Sequence, residues 1–592
     1  MKSKIYAFVL LFFMSVILTA QDNAMQILNG PWKFTYDDKN EGFDKEYYNI
    51  DPDKSDWKTV VIPTFWGDAE YDGIGWYART FTPDEKYKGN NVAVFFECVD
   101  DDADVYLNGE KIIEHKGYNV RFNKDITGKL KFGQKNTLVV KITDGGGAGG
   151  LCGEVYLQEF RDSQDLMKSK YFSRESTPLP GWAENTLIYE LYVRAHSKKG
   201  DFITVIDDLP RLKKLGVGCI WFMPVFPIGD VKRKGTMGSP YAIKDFMEVN
   251  PEYGTKADFQ RLIDAAHDHG IRVIIDIACN HSAWDNWLLK EHPEYYTKNE
   301  NGNIVHPAGT DWTDVADFNY DNADLREYMW KALEYWVRDL DIDGYRCDVA
   351  ELVPDDFWAE AYKRLSAIKP DILMLAEGAH PRLHINGFNL TYAWNYRMTI
   401  AKILENKQKP EYLAEVMEKD HYRYPKNTKH MIFTENHDKK RTVEFFGDDK
   451  DLLAAVLNLS LPGIPMIYDG QEVGAEQTPS LFEKEPIEWD FDNHYYEFYN
   501  QYFQIRQNNH AFSKGKFQIT NTNQPDKVLA YSRITDHNRV LIIGNITGEK
   551  VSVRIQSEIR EFQHLMGEIP VFTNGSLRLE LPANGFSVIK TQ

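Results

Sequence analysis

Four short segments of this chain place ionisable and hydrogen-bonding side chains directly after apolar runs. They read Asp276-Ile-Ala-Cys-Asn280-His281, Gly344-Tyr-Arg346-Cys-Asp348, Leu375-Ala-Glu377-Gly378 and Phe433-Thr-Glu-Asn-His437-Asp438. A lone Asp or Glu after a strand is usually a helix cap or a solvated loop residue. Four such sets, in order at the ends of successive apolar strands, point instead to one site. Its chemistry would be acid–base work, with one carboxyl ionised and another holding a proton.

The elements that must carry these residues follow from the apolar pattern. From Asn185, strand-like runs at Leu187–Val193, Cys219–Pro224, Arg272–Ile277, Gly344–Val349, Ile372–Ala376, His430–Thr434 and Ile464–Tyr468 alternate with helical stretches such as Phe202–Leu215 and Lys256–His269. Repeated alternation predicts a parallel sheet wrapped by helices, and a span of roughly 300 residues suits a (β/α)8 barrel whose reactive groups lie beyond the strands' carboxyl ends. The predicted catalytic region is 185–509, with a small insertion after strand three at about 281–318. Short alternating runs across 24–165, with a turn at Asn108-Gly109, predict an N-terminal β-sandwich, and 510–592 predicts a C-terminal one.

Composition narrows the function classes. The 592 residues include 69 Lys and Arg against 89 Asp and Glu, a net charge of −20, which argues against nucleic-acid binding. An uncharged substrate such as a sugar would not be repelled. Residues 1–20 read as a secretory signal: Lys2 and Lys4, then the apolar Ile5–Leu18, then Thr19-Ala20. The expectation is export to the periplasm or medium, without stable membrane insertion, because no later stretch is long enough to span a bilayer. Five widely spaced Cys without CxxC spacing predict small buried side chains rather than a disulfide framework or zinc site.

The four segments resemble the signature regions of the alpha-amylase family of glycoside hydrolases (family 13). Flanking sequence agrees: Leu187-Ile-Tyr-Glu-Leu-Tyr-Val-Arg194 resembles the first barrel strand, Tyr241-Ala-Ile-Lys-Asp245 the tyrosine-bearing loop after the second, and Gly470-Gln-Glu472 the end of the eighth. More loosely, Gly30-Pro-Trp32, Gly75-Trp-Tyr-Ala-Arg79 and Asp104-Val-Tyr-Leu-Asn108-Gly109 resemble the sugar-binding jelly roll of family 2 glycosidases.

The resemblance implies a retaining hydrolase of α-glucosidic, mainly α-1,4, bonds in starch-like glucans, maltooligosaccharides, cyclodextrin or pullulan. Asp348 matches the nucleophile, Glu377 the general acid/base and Asp438 the third carboxylate. Tyr241, His281, Arg346 and His437 match substrate-binding positions. Arg346, on the same strand face as Asp348, is expected to keep it ionised with a low pKa. Glu377 has no cation close in sequence. Asn280 and Asp317 match two calcium ligands of many amylases, though calcium-free members carry them too; the chemistry itself requires no cofactor. A transglycosylase using the same carboxylates and a non-catalytic glucan-binding protein are the alternatives, and oligomeric state stays open.

Some positions depart from the family. After Asp348 the chain reads Val-Ala-Glu351-Leu352, where many amylases carry Lys-His and cyclodextrin- or pullulan-degrading members carry Asn-Glu. After Glu377 it reads Gly378-Ala379-His380. The insertion holds Trp284, Trp287, Tyr295, Tyr296 and Trp312, which read equally as a sugar-stacking lid or a miniature core. Trp66, Tyr71, Trp76 and Tyr77 read as a sugar platform or, more in keeping with aromatic usage, as packing.

Overall fold

A computed structural model describes residues 25–66, 72–117, 120–145, 149–308, 310–556, 561–573 and 575–591. The signal segment and Tyr71 lie outside them. The chain divides into two compact units, Met1–Lys170 with Ala308–Asp311, and Tyr171–Pro307 with Trp312–Gln592.

The second unit holds a closed barrel of eight parallel strands, labelled here β1 (Ile188–Leu191), β2 (Cys219–Phe222), β3 (Arg272–Ala278), β4 (Gly344–Asp348), β5 (Leu373–Ala376), β6 (Leu390–Tyr392), β7 (Lys429–Ile432) and β8 (Ile464–Tyr468). Nearly every strand residue is buried, as expected where helices cover one face and the barrel interior fills the other. Alternation then sorts the side chains. Tyr189, Ile220, Ile275 and Tyr345 point outward into the helix-facing core, while Ile188, Trp221, Ile274 and Leu375 point inward. Two residues on from Ile188, Ile274 and Leu375 stand Glu190, Asp276 and Glu377, and Arg346 follows Gly344 by the same step, so the polar site caps an apolar plug. Gly344 begins β4 because a Cβ there would sit 1.9 Å from the Leu373 carbonyl oxygen of β5.

The helices carry explicit start signals. Asp201 accepts from the Thr204 amide at 2.9 Å, Asn322 accepts from Asp324 and Leu325, and Thr255 forms a capping box with Asp258. The insertion after β3 opens and closes on an antiparallel pair, His281–Ala283 with Val315–Asp317. Tyr295 and Tyr296 are buried in the main core, which settles these two residues of the insertion as packing rather than lid. A five-stranded and a three-stranded sheet close around an apolar core at the C-terminus, from Lys516 to Thr591.

The first unit is a sandwich of a six-stranded and a four-stranded antiparallel sheet. Asn108 and Gly109, both at positive φ, turn one hairpin between Asp102–Leu107 and Glu110–His115. Trp66, Trp76 and Tyr77 are buried, and the Trp76 indole donates to Asp37 at 3.0 Å, so all three are structural. One expectation fails here: Cys98 and Cys152 form a disulfide, while Cys219, Cys279 and Cys347 are free and buried. The bridge joins residues 54 positions apart in sequence, a spacing that carries no local signature. Asp100, Asp101 and Asp144 also gather here, with carboxylate oxygens within 4.8 Å of one another. Among the described residues no helix is long and apolar enough to cross a membrane.

Candidate active site

The barrel's carboxyl end brings all seven expected catalytic and substrate-binding residues into one contact network. Arg346, fully buried on β4, is its hub. Its Nη1 donates to Asp348 Oδ1 at 2.7 Å and to Asp276 at 2.9 and 3.1 Å, and its Nε donates to the Tyr392 hydroxyl at 3.1 Å. Its Nη2 lies 2.9 Å from Glu377 Oε2, an ion-pair contact rather than an aligned hydrogen bond. The cation absent from the sequence around Glu377 is therefore supplied across the sheet from β4.

Asp348 also departs from expectation. Burial raises its pKa well above the ordinary carboxylate range; Arg346 pulls it down, while Glu377 and Asp276 push it up again. One guanidinium serves three carboxyl groups, so it does not hold Asp348 low by itself.

Glu377 is fixed from a second side. Val349 adopts a positive φ of 36°, unusual for a β-branched residue, and its amide donates to Glu377 Oε2 at 2.8 Å. Glu351 then pins the loop behind Glu377, its Oε1 accepting from the amides of Ala379 at 2.8 Å and His380 at 2.9 Å. Gly378 permits that approach, since a Cβ there would lie 2.7 Å from Glu351 Oε1. The departures on either side of the two carboxyls are thus one interlocking feature.

The two histidines differ in charge. His281 is pushed down to about 4 by burial, and its Nε2 donates to the Tyr241 carbonyl at 3.2 Å. Its Nδ1 is a buried acceptor without a hydrogen-bond partner. Trp312 lies edge-on to this ring at 5.7 Å. His437 stacks on Tyr241 at 5.5 Å, and its Nε2 lies 2.8 Å from the Tyr241 hydroxyl and 3.3 Å from Asp438. Burial would lower its pKa, but Asp438 and Glu190 outweigh that and push it up to about 9. Asp438 is the more open member, with its side chain 38% exposed.

Asn280 and Asp317 meet only part of what calcium needs. The Asn280 amide is buried and neither polar atom has a partner, while Asp317 faces His281 across the hairpin pair. Calcium takes 6–8 oxygens; these two side chains supply at most three, and burial raises Asp317 toward its neutral form. The pair alone does not make a calcium site, and no step below runs through a metal.

Three members escaped sequence reasoning as site residues: Asp276, Tyr392 and Glu190. Asp276 stands in a quoted motif and Glu190 in the first-strand segment. Counting inward positions by two from Ile274 and Ile188 finds both.

The family profile described as the alpha amylase catalytic domain matches residues 154–502, and that of the glycosyl hydrolase 2 galactose-binding domain-like fold matches 71–145. The chain is 28% identical to Alpha-amylase 3 of Dictyoglomus thermophilum over 449 residues, covering 64% of this chain and 88% of that protein. It is 28% identical over 380 residues to a cyclomaltodextrinase of a Bacillus species, covering 58% and 65%. The crystal structure of a noncanonic maltogenic alpha-amylase from Thermotoga neapolitana superposes with a TM-score of 0.63 at 30% identity, covering 69% of this chain and 98% of that one. A barrel with these residues at its carboxyl end, matched by profile across more than half its length, belongs to the alpha-amylase family of glycoside hydrolases.

Proposed function

We propose that the protein is an exported retaining hydrolase of α-1,4-glucosidic bonds in starch-like glucans and their short derivatives, including maltooligosaccharides and cyclodextrin. The observation that carries this reading is the contact of one guanidinium with both Asp348 and Glu377. It suits the short carboxyl separation of roughly 5–5.5 Å that retention needs, rather than the wider gap of inverting enzymes.

In this reading Glu377 gives its proton to the glycosidic oxygen as the bond to the leaving sugar breaks. Asp348 attacks the anomeric carbon and forms a glycosyl ester. Water, deprotonated by Glu377, then displaces Asp348, which restores both groups. Tyr241 lies under the reacting ring, while Asp438, His281 and His437 hold its hydroxyls. Electrostatic support comes from donors already in place before charge develops at the anomeric carbon.

Export draws support from the N-terminal segment and from the Cys98–Cys152 bridge, since disulfides persist mainly in oxidising compartments. The names of the relatives, an alpha-amylase and a cyclomaltodextrinase, support the substrate class.

The test is product analysis on maltoheptaose, cyclodextrin and pullulan with the purified protein, by NMR of fresh products. The α-anomer is expected first, and Asp348→Asn is expected to abolish turnover while leaving the melting temperature in place. A β-anomer, or an active Asp348→Asn variant, overturns the mechanism; glucosyl transfer to sugar in place of water overturns the hydrolase reading. N-terminal sequencing of protein recovered outside the cytoplasm tests export.

A further inference from the structure

Glu190 is fully buried on β1, and one of its oxygens contacts His437 Nδ1 while the other has no hydrogen-bond partner. Nothing assigned so far explains why a carboxylate stands there. Counting protons around the imidazole does.

A carboxylate can only accept, so contact with Glu190 requires a proton on Nδ1. On the other side, Nε2 faces Asp438, a second carboxylate, and the Tyr241 hydroxyl. That hydroxyl has one proton, and it is committed to Asp276 Oδ2 at 2.9 Å. Asp276 in turn accepts from Arg346 on both oxygens and from the Trp221 indole at 3.2 Å, so it is an acceptor throughout. Nε2 therefore meets only acceptors and must carry a proton too.

We propose that Glu190 is a positioning residue that holds His437 as a doubly protonated imidazolium, aimed through Nε2 at Asp438 and at the hydroxyls of the reacting sugar. The groups facing the ring are Glu190 from β1, the Trp221 edge from β2, Tyr241 from the following loop, Asp276 from β3, Arg346 from β4 and Asp438 beside it. Burial and Arg346 oppose the charge, and the carboxylates outweigh both. His437 is shifted up, as this count requires, while burial raises Glu190 against the opposing pull of His437 itself. A charged ring makes a stronger hydrogen bond to a sugar hydroxyl than a neutral one, and that hydroxyl lies beside developing positive charge, which Glu190 and Asp438 offset. The catalytic part of this proposal rests on the glycosidase reading; the charge state does not.

The test uses full-length protein with 15N-labelled histidine, the His437 signals assigned by their loss in His437→Gln. Wild type is expected to show both His437 nitrogens protonated at pH 7.5. In Glu190→Gln the ring is expected to be neutral at that pH, its midpoint lower by about two pH units. A single protonated nitrogen in wild type at pH 7.5, including the case of a proton resident on Glu190, overturns the proposal. That spectrum decides it even if Glu190→Gln fails to fold. In kcat/KM on maltoheptaose, Glu190→Gln is expected to fall about tenfold at pH 8, the added strength of a charge-assisted bond, and to recover near pH 5.5. A uniform loss at every pH would mark Glu190 as merely structural. Wild type that cleaves no glucan sinks the glycosidase reading while the NMR result still stands.

Discussion

Asp348 and Glu377 touch the same guanidinium, Asp348 through Nη1 at 2.7 Å and Glu377 through Nη2 at 2.9 Å. The two carboxyls on which retention would depend are therefore not independent groups.

A prediction about pH follows. Burial raises Asp348 and Arg346 opposes it, so weakening the cation's grip raises the pKa further. Arg346→Lys keeps a charge but offers a point donor in place of the planar fork. Its acidic limb in kcat/KM on maltoheptaose is expected at higher pH than in wild type, by about one unit. An unmoved limb in a folded, active variant would show that Arg346 does not govern the pair.

Glu351 gives a separable prediction. Its Oε1 takes two amides of the loop behind Glu377, and leaving such donors unpaired costs about 1–3 kcal/mol. Glu351→Ala is expected to lower kcat about tenfold through misplacement of Glu377. Glu351→Gln, which keeps an acceptor oxygen, is expected to restore most of it. Equal losses in both variants would mean that the charge of Glu351 matters, not its geometry.

In the first unit, stability should fall as pH rises. Burial, then Asp101 and Asp144, raise Asp100 to about 8. The folded form thus binds a proton that the unfolded form releases near pH 4, so unfolding becomes easier between about pH 4 and 8. Asp100→Asn is expected to raise the melting temperature of this unit at pH 8 and to change it little at pH 4. Calorimetry at the two pH values checks the sign.

The disulfide predicts a conditional loss in the same unit. Opening a loop of 54 residues releases unfolded-chain entropy equivalent to about 4 kcal/mol. Cys98→Ser with Cys152→Ser is expected to unfold the sandwich at lower denaturant, read by limited proteolysis within residues 25–170. Barrel activity at low temperature serves as the control.

Legibility in the sequence depended on how local each signal was. Seven barrel strands stood out as apolar runs, but β6 has only three residues and runs almost directly into the helix Trp394–Leu404. It offers no run to see. Asp348, Glu377, Asp438 and both histidines were readable because motif and strand end coincide. The Arg346–Glu377 contact was not, since it joins neighbouring strands whose register appears only once the sheet closes. The Cys98–Cys152 pairing was hidden for the same reason, being a property of the sandwich rather than of spacing. Glu351 looked like an unexplained departure because its partners are backbone amides, which no residue type announces.

The mouth of the barrel gathers five carboxyl groups, Glu190, Asp276, Asp348, Glu377 and Asp438, around one guanidinium and one imidazole. Even with a proton on Glu377, the protein surface there is a mould for positive charge that neutral glucose does not fill. The species that fits it is a flattened, cationic sugar. Ring-nitrogen analogues that carry a charge should consequently bind more tightly than the sugars they imitate, with an affinity that fades once the nitrogen loses its proton.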